Sequence, residues 1–320
     1  MIEILDTTLR DGGYINSWNF SNSSIQGIIN NLINSKIEYI ECGFLNEKAQ
    51  NSANTTLFCS IEKINQFINK PFKYALMINY GEYDIDKIPK NNNQNLFLRI
   101  AFKKDKMNNA LDFCAKLQEK GYSVSLNPCR TSMYSFDELE ALIEKANIIS
   151  PYCITIVDTM GTMKQNKTIK MYDFINSKLN SEIKLGFHFH NNLQMAFANV
   201  QSVLSVSKSR DIIIDSSLFG MGRGSGNLAS ELICNYLNTD FNKNYKIEPI
   251  LDAIEKYINP IFKTTPWGYS IPFYLTAINN CHPNYGKYLA EQNIPLNQIN
   301  ELLKQIPDDK KCDYNENKIK

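Results

Sequence analysis

His188-Phe189-His190 is the segment of this chain best suited to chemistry. The 320 residues contain only three histidines, and two of them stand here, one residue apart. In a strand, residues i and i+2 project from the same face, so the two imidazoles can meet at one point while Phe189 turns the other way. Two neutral imidazoles with one carboxylate and open positions suit a divalent cation that must also bind substrate. The best candidate for the carboxylate is Asp11, in LDTTLRDGGY near the start of the chain. Arg10 stands beside it. Adjacent residues on a strand point apart, which disfavours a simple ion pair and favours separate tasks. Asp11 would hold the metal and Arg10 would steady an oxyanion beside it.

These residues need elements that bring distant parts of the chain together. Apolar runs such as IEILDTTL, YIECGF, KYALMIN, LFLRIAF and DIIIDSSLFG alternate with helix-like segments such as SSIQGIINNLINSK, SIEKINQFINK and SFDELEALIEKANIIS. Strands that are apolar on both faces and alternate with helices imply a parallel sheet covered by helices. Eight such units by about residue 240 match an α/β fold of the (β/α)8 or TIM-barrel type, typically about 250 residues long. An open doubly wound sheet is the alternative that periodicity leaves standing. The third unit is the weakest, because GEYDIDKIPKNNNQN reads as a polar loop. From Phe241 to Lys320 the pattern changes to helices and turns with a polar tail expected to fray. The expected division is a catalytic barrel over 1–240 and a helical C-terminal extension over 241–320.

In such a barrel the C-terminal strand ends carry the site. Here those ends are polar: Arg10-Asp11, Glu41, Asn79, Asn127, Asp158-Thr159, the stretch from His188 to Asn192, and then GMGRGSGN, which closes on Asn227. The glycine-rich loop is either an anion cradle at a helix N-terminus or a tight turn. It lacks the lysine of a GxxxxGK[ST] loop, so nucleotide hydrolysis is not indicated.

Composition limits the partners. A chain that is 43% hydrophobic and 21% charged can build a packed core. Its net charge of +1 gives no electrostatic reason to expect nucleic acid or an anionic membrane. No apolar stretch reaches bilayer-spanning length, and MIEILDTT does not read as a signal peptide, so a cytoplasmic location is expected. The eight cysteines form no CxxC pair and read as buried free thiols, not as a zinc or disulfide framework.

LDTTLRDGG, HFHNN and GMGRGSGN, in that order, resemble the HMG-CoA lyase-like (pyruvate carboxyltransferase domain) family of metal-dependent TIM barrels. The likeness spans roughly residues 1 to 235 and is greatest to the 4-hydroxy-2-oxovalerate aldolase branch. The resemblance implies that Asp11, His188 and His190 are metal ligands, with Asn227 at or near the metal. It implies that Arg10 stabilises the enolate oxygen and that Glu41 and Asp158 line the substrate pocket. The position matching Tyr14 is a histidine base in the aldolase branch. A phenol, with an ordinary pKa near ~10, can take that task only as its phenolate. Tyr269 stands near the place of a functional tyrosine in the aldolase's C-terminal region.

The function this implies is a lyase or aldolase that cleaves or forms a C–C bond next to a 2-oxo acid. Mn²⁺ or Mg²⁺ is the expected cofactor, because the ligand set is mixed nitrogen and oxygen. The base is Tyr14 or a water on the metal. Two rivals remain. One is a Claisen-type acyl-CoA condensing synthase, against which stands Gly13-Tyr14 where the synthases carry Glu-Gln. The other is a barrel that binds a metabolite or partner without turnover. The extension offers a surface for a second copy of the chain or for a partner enzyme.

Overall fold

Each apolar run is buried on both of its faces, and this is why the runs form the inner wall of a barrel. In the computed structural model, which describes residues 1–50, 52–68 and 70–315, the strands are β1 (Ile2–Asp6), β2 (Tyr39–Leu45), β3 (Lys73–Asn79), β4 (Leu96–Phe102), β5 (Ser123–Pro128), β6 (Cys153–Asp158), β7 (Lys184–Phe189) and β8 (Ile212–Ser216). All pair in parallel with their neighbours in sequence. β1 pairs with both β2 (Leu5 opposite Tyr39) and β8 (Ile4 opposite Ile214), so the sheet closes. Closure makes this a TIM barrel and removes the open-sheet alternative.

Local sequence starts and orients the helices. The helix α1 (Asn22–Asn34) begins at Ser21, whose hydroxyl accepts the Ser24 N–H at 3.1 Å, and it buries Ile25, Ile28, Ile29 and Leu32 along one stripe. A later helix, Phe136–Ile149, starts with a capping box between Ser135 and Glu138. The helix expected over SIEKINQFINK does not form. The chain instead makes a two-residue strand, Leu57–Phe58, on β2 and then a 3₁₀ turn, Ile61–Ile64. The buried residues there, Ile61, Ile64 and Phe67, recur every third position, and the tighter 3₁₀ turn aligns that spacing on one side. The weak third unit has only a 3₁₀ turn, Ile85–Lys87.

Inside the barrel, Leu5, Tyr39, Ala75, Phe97, Cys153 and Ile213 form an apolar layer. Above it β2 carries an irregularity between Glu41 and Phe44. Residues three apart on a regular strand face opposite ways, but the extra residue lets both of these face the interior. Gly43 makes this possible, since a Cβ there would lie 1.9 Å from the Thr56 carbonyl oxygen.

After Phe241 the described residues form helices and turns only. The helices Ile271–Ile278, Pro283–Glu291 and Leu296–Gln305 share a small core of their own, including Leu275, Tyr285, Leu289 and Ile299. This unit is tied to the barrel mouth by Asp313, which meets Lys103 at 2.8 Å and Arg130 at 2.9 Å. The last five residues of the expected frayed tail, 316–320, lie outside the described residues. All eight cysteines are free thiols, and no helix among the described residues is long and apolar enough to cross a membrane.

Asp6, at the top of β1, is fully buried and accepts hydrogen bonds from Thr8 N–H (2.9 Å) and the Ser230 hydroxyl (3.0 Å). Burial outweighs these bonds and pushes its pKa from 3.8 to about 6. Its contribution to stability is therefore full below the unfolded value and lost as pH rises through the folded one. The loss is on the order of 3 kcal/mol. In thermal melts, Asp6→Asn should gain on the wild type as pH rises from about 4 to about 6 and keep that gain at higher pH. A pH-independent difference would contradict the assignment.

Candidate active site

The chain turns sharply as it leaves β1. Thr8–Asp11 form one helical turn and Gly13–Asn16 a second, so Arg10 and Asp11 lie beyond the strand end. The expectation that they point apart fails for this reason. Arg10 Nη1 donates to Asp11 Oδ1 at 2.5 Å, and its Nε donates to Glu41 Oε2 at 2.7 Å. Its Nη2 makes no hydrogen bond among the described residues, and Arg10 lines the cavity. Asp11 Oδ2 accepts from Asn227 Nδ2 at 2.7 Å.

His188 lies on β7, and His190 follows its last residue, paired with Asn227 in an isolated bridge. Phe187 and Phe189 stack on the opposite face. The imidazole centroids are 5.0 Å apart and nearly perpendicular. One donor atom from each of Asp11, His188 and His190 lies within 4.8 Å of the others, and all three residues are buried. Asn227 Oδ1 is buried beside them with no hydrogen-bond partner among the described residues. An orphan acceptor next to two imidazoles and a carboxylate fits a divalent cation, which would satisfy it.

Electrostatics prepare these donors. Burial works against the Asp11 carboxylate, but Arg10 and the two histidines outweigh it and hold the group below the ordinary carboxylate range. Burial is also the main reason His190 is pushed down to about 3, which keeps the imidazole neutral and able to ligate.

Beneath this layer lies a charged one that sequence reasoning missed. Arg99 on β4, 1% exposed, donates through Nη2 to Asp215 Oδ2 at 2.6 Å, and its Nη1 lies 3.1 Å from Glu41 Oε2. The same Asp215 oxygen lies 3.0 Å from His188 Nδ1. Such a carboxylate fixes which ring nitrogen carries the proton and turns Nε2 toward the site. Burial would raise the Asp215 pKa, but Arg99 and His188 bring it below the ordinary value. The signal was present in LFLRIAF and DIIIDSSLFG: a charge in the middle of an apolar strand must find a partner.

Not every candidate converges. Glu41 lies under Arg10 and does not line the cavity. Asp158 accepts from the backbone N–H groups of Thr162 (3.1 Å) and Met163 (2.8 Å) and shapes the loop, while Val157 and Thr159 line the cavity. Tyr269 is 55% exposed and lines neither site cavity. Trp267, two residues earlier, lines the outer cavity and donates from Nε1 to the Phe219 carbonyl oxygen at 3.0 Å. Tyr14 does line the site, and burial raises its phenol above the ordinary value.

The glycine-rich loop is a close wrap, not an anion cradle. A Cβ on Gly222 would lie 2.3 Å from Asn227 Nδ2 and 2.6 Å from Asp11 Oδ2. The inner chamber, about 60 Å³, includes Arg10, Asp11, Asn79, Asn127 and both histidines in its wall. An outer cavity of about 500 Å³ adjoins it through Tyr14 and Arg223 and is otherwise walled largely by the extension. A larger groove of about 1110 Å³, between Phe136 and Tyr274, has no comparable donor set.

Asp11, His188 and His190, buried together at the C-terminal ends of the strands of a closed parallel barrel, form a donor set able to hold a metal ion, an arrangement that suits a metal-dependent carbon–carbon lyase. The chain belongs to the HMGL-like family, whose model matches residues 1–256. It is 25% identical over 236 residues to the oxaloacetate decarboxylase of Mycobacterium tuberculosis, covering 72% of this chain and 68% of that one. It is 31% identical over 132 residues to the 4-hydroxy-2-oxovalerate aldolase of Chloroflexus aggregans, but that match covers 40% of this chain and 37% of the aldolase. Among solved structures, the N-terminal domain of a putative aldolase from Bacteroides vulgatus superposes with a TM-score of 0.79 at 23% identity, covering 90% of this chain and 96% of that one. The last comparison speaks to the fold.

Proposed function

We propose that this enzyme cleaves or forms a carbon–carbon bond next to a 2-oxo acid by way of an enolate, in the manner of a 4-hydroxy-2-oxovalerate aldolase. The observation that carries this reading is the buried Asp11, His188 and His190 set beside Arg10, in a chamber of about 60 Å³. At about 10–15 Å³ per water-sized group, such a chamber holds about four to six groups, which limits it to a small ligand. Charge supports the same conclusion. Asp11, Glu41 and Asp215 are met by Arg10 and Arg99, and Arg223 stands outside these pairs. A divalent ion adds two positive charges, and a 2-oxo acid enolate brings two negative ones. Oxaloacetate and 4-hydroxy-2-oxovalerate, named for the two relatives, are both 2-oxo acids.

Asp11, His188 and His190 would hold the ion, with Asn227 Oδ1 beside it. Mn²⁺ or Mg²⁺ suits this set, and when bound it supplies Lewis acidity at the oxygens of the 2-oxo acid. Arg10, held by Glu41, presents Nη2 to the developing enolate oxygen. In cleavage, the substrate hydroxyl gives up its proton, the carbon–carbon bonding pair passes into the enolate, and the carbonyl product leaves. The enolate then takes a proton at carbon. Tyr14 is the residue proposed to exchange the hydroxyl proton: its phenolate takes that proton in cleavage, and its phenol, which burial favours, returns it in condensation. Glu41 and Asp158 serve the substrate through their neighbours Arg10 and Thr159.

Metal analysis with pyruvate release over a panel of 4-hydroxy-2-oxo acids tests this reading, and full activity in thoroughly metal-free protein would sink it. Decarboxylation of oxaloacetate involves no hydroxyl proton, whereas aldol cleavage does. Tyr14→Phe should therefore lower kcat for aldol cleavage by about 10²–10⁴ and lower oxaloacetate decarboxylation much less. Equal losses in the two steady-state assays would remove Tyr14 from proton transfer.

A further inference from the structure

Arg10 and Arg99 each meet carboxylates. Arg223, in the glycine-rich loop, makes no ion pair among the described residues. Its guanidinium carbon lies 4.7 Å from the Tyr14 ring centroid, and its Nε is buried without a hydrogen-bond partner among the described residues. Its Nη1 lies 3.5 Å from His282 Nε2. That imidazole nitrogen is not an acceptor for it. The Asn284 N–H donates to His282 Nδ1 at 3.2 Å, so in the neutral ring the proton is on Nε2. Burial, with Arg223 adding to it, pushes the His282 pKa down to about 3, in keeping with a neutral ring. Two donors thus face each other with no acceptor between them, and an anionic oxygen lying against both would satisfy them.

The position of Arg223 is as informative as its chemistry. Arg223 lines both the inner chamber and the outer cavity, so it stands where one opens into the other. The chamber already has Arg10 and the metal-binding set for the 2-oxo acid half. The outer cavity, walled by Thr265, Trp267, Phe273 and Tyr288, has room for the other half. Lys287 in that wall lies 3.9 Å from Glu291, so its charge is already answered.

We propose that Arg223, with His282, binds an anionic group on the acceptor half of the substrate. The carbonyl compound joined to the 2-oxo acid, or released from it, then carries its own carboxylate or phosphate. This rests on the 2-oxo acid reading above.

Two measurements on the Mn²⁺-loaded enzyme separate the claims. Exchange of pyruvate methyl protons in D₂O, followed by NMR, needs no acceptor and tests the 2-oxo acid reading alone. Absence of exchange would overturn that reading and this one with it. Condensation of pyruvate with length-matched aldehydes, one neutral, one ending in a carboxylate and one in a phosphate, tests the acceptor claim and distinguishes the two anions. The kcat/KM for one anionic aldehyde should exceed that for the neutral one by at least about tenfold. Arg223→Gln should cut that ratio by about tenfold or more, and Arg223→Lys should restore part of it. Exchange with equal use of neutral and anionic aldehydes would overturn the proposal. So would an R223Q variant that raises KM for pyruvate in exchange and leaves the acceptor ratio unchanged.

Discussion

Asp11→Asn is expected to lower turnover by about three orders of magnitude or more while the barrel remains folded, and His188→Ala is expected to do the same. Asp11 is the only anion among the three converging donors. Asn in its place keeps the shape and removes the charge, and a hard divalent cation loses most when its anionic ligand is neutralised. The barrel should survive because Arg10 retains Glu41 at 2.7 Å. His188→Ala removes a proposed ligand and leaves Asp215 paired with Arg99. Steady-state kinetics, metal content per chain and circular dichroism on the same samples decide the matter. A variant that turns over normally, or one that has lost both activity and fold, would count against the assignment of these residues to the metal.

Arg99→Leu should destabilise the protein by about 3–5 kcal/mol. Arg99 is fully surrounded by protein and answers both Asp215 and Glu41. Removing it leaves a buried carboxylate uncompensated, which costs far more than the intact pair contributes. Arg99→Lys keeps the charge but not the fork that reaches two carboxylates, so its loss should be smaller. Urea unfolding with an unchanged m-value measures the difference. Metal affinity should fall with Arg99→Leu as well, because Asp215 orients His188. A stability change below about 1 kcal/mol would show that the charged layer is not what holds the barrel interior together.

By itself the sequence determined the features that depend on near neighbours and on period. Runs buried on both faces, alternating with amphipathic helices, specify a parallel sheet covered by helices, while its closure into a barrel is decided by the pairing of β1 with both β2 and β8. His188 and His190 share a direction because a strand has period two, and a barrel keeps its chemistry at the ends of its strands. The resemblance of three short motifs added Asn227, which the fold brings to Asp11. Tertiary structure alone decided the rest. Arg99 and Asp215 are 116 residues apart and meet only because the sheet closes. Arg10 and Asp11 pair because the strand, expected to run to Leu9, ends at Asp6 and the chain turns into a helix at Thr8. Tyr269 faces solvent, while Trp267 and Tyr288 reach the outer cavity. Arg223 meets His282 from the extension, and no local pattern marks either as part of one site. A charge or ring acquires its task from what lies across the cavity, and that is set by closure and docking, not by spacing along the chain.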